Sequence, residues 1–158
     1  MNKLMFVLAM VGCLATVAVA EQSAQSRRVL ETELVMANAD NAPLQQWATS
    51  QPGAEFETVT EFRPGQPVIA QARVQGCDPG DSGRCQVTVQ YTVYGPDGNV
   101  YRAAEARPAE MGKPAPSLHL TFADTDVVGL YRAVTIVRDA NAKRMVRSER
   151  VFGLRAKD

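Results

Sequence analysis

The stretch QVTVQYTVY, residues 86–94, alternates apolar and polar side chains without a break from Val87 onward. Val87, Val89, Tyr91 and Val93 fall on one side of an extended chain, and Thr88, Gln90, Thr92 and Tyr94 on the other. A period of two is the strand period, so this segment predicts a β-strand with one face in a core. Pro96-Asp97-Gly98 then turns the chain back into Val100 and Tyr101, which completes a hairpin. Similar runs occur at residues 55–62 (EFETVTEF), 68–74 (VIAQARV) and 118–122 (LHLTF), and two more flank the turn DANAK at residues 139–143. About seven short strands with no helix between them exclude βαβ crossovers and predict an all-β, antiparallel sandwich. No fixed-period internal repeat is present.

Residues 21–53 read differently. In SRRVLETELVMANAD, residues 26–40, the spacing of Leu30, Leu34 and Ala37 predicts a short helix. The next segment, residues 40–53, has a capping candidate in Asn41, a proline suited to a first turn at Pro43, and the breaker Pro52-Gly53. It also holds the only tryptophan, Trp47, which is expected to close one side of the core; a ligand platform is the alternative. The expected organisation is therefore a leader at 1–20, a helical or irregular segment at 21–53, and the β-sandwich at 54–158.

The leader is read from MNKLMFVLAMVGCLATVAVAEQ: Lys3, a short apolar run, and the small-residue pattern Ala18-Val19-Ala20. These predict a secretory signal cut after Ala20, and a periplasmic or secreted product with no stable membrane span. Cys13 raises a lipoprotein-like rival, but Met10 stands where a leucine is usual and an apolar LATVAVA would follow.

Export leaves Cys77 and Cys85 as the only cysteines, in the loop GCDPGDSGRCQ, residues 76–86. A redox pair has two intervening residues, and zinc needs about four ligands where the mature chain offers two cysteines and His119. Asp78 and Asp81 flank glycines, but their spacing is not that of a calcium loop. A structural disulfide is the expectation, contributing about 2–3 kcal/mol by the chain-entropy estimate.

The sequence carries 17 basic and 17 acidic residues, and loss of Lys3 leaves 16 against 17. That balance argues against a nucleic-acid binder. Acids gather in residues 21–62 and bases in residues 130–158. Pairing of first and last strands accounts for this more simply than a patch of Arg144, Arg147, Arg150 and Arg155 aimed at an acidic partner.

The segment DTDVVGLYRAVTIVRD, residues 124–139, resembles the D-x-G-x-Y stretch entering strand F of immunoglobulin-like domains, as found in many exported bacterial modules. The resemblance implies that Tyr131 turns its hydroxyl back to the preceding corner, with Asp126 and Gly129 shaping that turn. Ala133 stands where antibody domains have a cysteine, so their inter-sheet bridge is absent. With the runs taken as strands A, B, C, C′, E, F and G, the disulfide loop, residues 110–116 and the turn at 139–143 share one end. Asp78, Asp81, Arg84, Met111, Lys113, Asp139, Asn141 and Lys143 are the candidate binding residues there.

Reacting groups are sparse. The one histidine, His119, lies between Leu118 and Leu120 and points away from the core. No GxSxG, HExxH or P-loop pattern occurs, and no catalytic residue, cofactor or metal is expected. Asp97, Asp124 and Asp126 are explained by turn chemistry more simply than by calcium. The expected function is a non-catalytic binding or adaptor module for another envelope protein. Inhibition of a periplasmic hydrolase is the alternative, and small-ligand or calcium binding the second.

Overall fold

A computed structural model describes residues 29–41, 43–51 and 53–157. The expected signal and Cys13 lie outside the described residues. The elements are β1 (Glu31–Asn38), α1 (Pro43–Ala48), β2 (Glu61–Phe62), β3 (Pro67–Gln75), β4 (Val87–Tyr94), β5 (Val100–Ala103), β6 (Arg107–Ala109), β7 (Leu118–Thr121), β8 (Gly129–Asp139) and β9 (Arg144–Leu154). The chain is mostly β, in two sheets. One has the order β1-β3-β7; the other runs β2-β9-β8-β4-β5, with β6 also on β4.

The sheets pack face to face because each supplies one apolar surface. Leu34, Met36, Val68, Ala70, Ala72, Leu118 and Leu120 of the first meet Val87, Val89, Tyr91, Val93, Tyr131, Ala133, Val137 and Phe152 of the second in one core. β4 buries every second residue, as its alternation demands. Tyr91 brings a polar tip into this core, and its hydroxyl accepts the Ala72 N–H of the opposite sheet at 2.9 Å. Burial pushes the Tyr91 phenol up to about 12.

Three expectations are corrected. Residues 31–38 form a strand, not a helix, and pair with β3 along their whole length. Leu34, Val35, Met36 and Ala37 are buried consecutively, because Leu34 and Met36 face the main core while Val35 and Ala37 face a smaller one beneath α1. The strand expected over residues 55–62 shrinks to Glu61–Phe62, and it runs parallel to β9, so the pairing is not purely antiparallel. Just before it, the chain crosses β1: Val59 N–H donates to Met36 O at 2.8 Å, and Thr58 Oγ1 bonds both Met36 N and O. Finally, the connection after β5 contains an extra short strand, β6.

The helix expected near Trp47 is α1. Trp47 is buried, tilted against Phe56 with ring centroids 5.5 Å apart, and donates its indole N–H to Ala54 O. The Arg73 guanidinium lies 4.6 Å from its ring centroid and bonds Ser50, Gln51 O and Glu33. Trp47 therefore plugs a satellite core on the outer face of the three-stranded sheet. The charge asymmetry resolves into pairs between the two ends of the chain: Arg155 pairs with Glu61 and Arg150 lies 3.8 Å from Glu33, whereas Arg147 pairs with Glu149 within β9. The Arg155 guanidinium holds the Glu61 carboxyl below its ordinary range.

Candidate functional site

Gly76 opens the loop between β3 and β4 with φ of 73°, and a Cβ there would sit 1.8 Å from Val29 O. Only glycine tolerates both conditions. Cys77 and Cys85 then close the loop as a disulfide, with Cα atoms 5.8 Å apart. Cys77 is buried against the core, whereas Asp81, Ser82, Gly83 and Arg84 are exposed.

A second fastening was not visible as such in the sequence. Asp139, the last residue of β8, is buried, yet its carboxylate accepts three backbone N–H groups: Asp78 at 2.7 Å, Asn141 at 3.1 Å and Ala142 at 3.3 Å. Asn141 then donates its side-chain amide to Asp78 O and to Arg84 O, both at 2.8 Å. Ala140 N–H adds a bond to Gln86 O at 2.9 Å. The β8–β9 turn thus holds the disulfide loop at several points. The sequence signal is the Asp-x-Asn of an Asx turn, which names the local bonds but not the distant loop they reach.

Of the eight candidate residues, Asp78, Asp139, Asn141 and Arg84 come together through these bonds. Asp81 lies at the loop's exposed tip, and Lys143 is exposed in the turn with φ of 52°. Met111 packs against the main core and Lys113 pairs with Glu110. The register of β6 on β4, Ala109 opposite Val87, carries residues 110–113 to this same end.

The corner residues lie at the other end. Tyr131 donates its hydroxyl to Val127 O at 2.8 Å, and Asp126 accepts from Ala123 N–H and the Tyr101 hydroxyl, each at 2.7 Å. Gly129 has φ of 151°, and a Cβ there would come within 2.9 Å of Pro96. Desolvation, then Asp126, raise the Tyr101 and Tyr131 phenols above their ordinary value. His119 is exposed and lies 3.1 Å from Ser117 Oγ. Among the described residues, no group of three or more His, Cys, Asp or Glu is placed to hold a metal, and no helix is long and apolar enough to cross a membrane.

No family model matches the chain, and no curated protein does either. Among solved structures, the chain is similar to a family 123 glycoside hydrolase from Clostridium perfringens, at 9% identity and a TM-score of 0.41. The match covers 80% of this chain and 27% of that one, so the chain spans about a quarter of the hydrolase's length. It is also similar to a superoxide reductase (neelaredoxin) from Ignicoccus hospitalis, at 12% identity and a TM-score of 0.41, covering 64% of this chain and 79% of that one.

Proposed function

We propose that the protein is an exported, non-catalytic binding module with an immunoglobulin-like sandwich, and that it holds another envelope protein by its disulfide-loop end. The strand order, the parallel pair of β2 with β9 and the Tyr131 hydroxyl returned to its corner support the fold reading. The observation that carries the functional reading is the fastening of two separate loops into one body by Cys77–Cys85, Asp139 and Asn141. A surface ordered before contact loses less entropy on binding. Its outward residues, Asp81, Arg84 and Lys143, carry charges of both signs suited to setting partner choice.

Photo-crosslinking residues placed at positions 81, 84 and 143 should trap a discrete partner in the envelope, and one placed at Gln45, exposed on α1, should not. With the crosslinker at one of these positions, reversing the charges of the other two should abolish that adduct while the fold persists. Equal adducts from all four positions, or an adduct that survives the reversal, would refute the reading. The same rigidity suits an inhibitor that fills a hydrolase cleft, and loss of the trapped partner's hydrolytic activity on adding the pure protein would select that alternative.

A further inference from the structure

The end of the sandwich opposite the disulfide has a cavity of about 240 Å³ between the β4–β5 turn and the loop entering β8. Pro96, Val100 and Val127 give it an apolar wall, and the rings of Tyr101 and Tyr131 line it. Its polar atoms are unbalanced in a specific way. The Tyr101 hydroxyl hydrogen is committed to Asp126 and that of Tyr131 to Val127 O. The Asn99 backbone N–H and side-chain amide are engaged by the Asp97 carboxylate at 3.0 and 2.7 Å. What these groups mostly present to the cavity are oxygen lone pairs and the negative charge of Asp97 and Asp126, with the Thr125 hydroxyl and the second Asn99 amide hydrogen as the remaining donors. Both carboxylates oppose ionisation of Tyr131, which places their potential at the cavity lining.

A lining rich in acceptors, with two carboxylates and no cationic side chain, favours a ligand that donates and is positive. We propose that this cavity binds an alkylammonium or guanidinium group, the aliphatic stem lying along Val100 and Val127 and the charged head between Asp97, Asp126 and the tyrosine oxygens. Val100 and Val127 are 58% and 66% exposed, so a stem laid over them removes apolar surface from water. Calcium fits less well, because it takes six to eight oxygens. Among the described residues, no group of three carboxylates is placed to hold a metal, and Pro96, Val100 and Val127 wall this cavity with carbon.

The test is a titration of the 15N-labelled protein, followed by amide chemical shifts, with Nα-acetyl-lysine methylamide, its uncharged isostere Nα-acetyl-norleucine methylamide, putrescine and calcium chloride. The lysine probe should move amides in residues 95–101 and 125–131 in a saturable way, and D97N should weaken it by roughly threefold, as for an exposed charge pair. V100K, an exposed strand position that places the protein's own ammonium at the cavity, should abolish the response and guards against a folding defect in D97N. Tighter binding of putrescine than of the lysine probe would assign the cation to a free polyamine, and the reverse to a basic side chain of a partner. Equal shifts from the norleucine probe, saturation of the same amides by calcium at lower concentration, or an unchanged response in both variants would each overturn the proposal. The site lies away from the disulfide loop, so its failure leaves the adaptor reading untouched.

Discussion

The two ends of the sandwich are closed by different means. At one, a disulfide and the carboxylate of Asp139 fasten loops that carry few large apolar side chains. At the other, Phe62, Phe122, Tyr131 and Phe152 pack with ring centroids 5.0 to 5.9 Å apart, and Tyr101 stacks on Phe122 at 5.2 Å. Where apolar side chains reach the rim, dispersion and burial close the end; where they do not, polar bonds and sulfur must. The first end should therefore answer to reductant and to loss of a carboxylate, and the second to base.

The largest effect is expected from Asp139→Ala. It strips the acceptor from three N–H groups and should lower unfolding free energy by about 3 kcal/mol in urea titrations. A loss below about 1 kcal/mol would mean that the disulfide alone orders the loop. Replacing both Cys77 and Cys85 by alanine should cost about 2–3 kcal/mol, with the aromatic end's near-ultraviolet dichroism preserved.

Base should act on the other end and on the core between. Tyr91, Tyr101 and Tyr131 all ionise above the usual value of 10.0 in the folded state. For an acid whose folded value is raised, the stabilisation is complete below the unfolded value and is lost as pH climbs through the folded one. For Tyr91, the window runs from about 10 to about 12, worth about 2–3 kcal/mol. Urea midpoints should fall across this range in parallel with phenolate absorbance, and a flat profile would remove the distinction between the ends. The smallest effect is Tyr131→Phe, which keeps the ring and deletes the bond to Val127 O; about 1 kcal/mol and a modest fall in melting temperature are expected.

How far the sequence could be read depended on whether a segment has one buried face or two. β4 has one, so its alternation named its inward residues Val87, Val89, Tyr91 and Val93. β1 has two, and its run of four buried residues carries no strand period. The spacing of Leu30, Leu34 and Ala37 then mimicked a helix, since one shared face was never the organising constraint. Residues 55–60 look like a strand by alternation, but the chain there crosses from one sheet to the other. Cys77 and Cys85 were readable as a bonded pair because the expected loss of a leader with Cys13 leaves them a single pairing. The clasp of Asp139 and Asn141 was not, because its partners Asp78 and Arg84 are 55 or more positions away in the chain.

The crossing of residues 58–59 over β1 has a further meaning for life in a crowded compartment. A bare outer strand is an invitation to zippering, in which a foreign chain continues the ladder and seeds fibrils. Here Met36 already spends its edge groups on Thr58 and Val59, and Arg150 donates its Nε to Leu34 O at 2.8 Å. The protein wears its own chain as a selvedge along that border, so association with neighbours is steered away from the β1 edge.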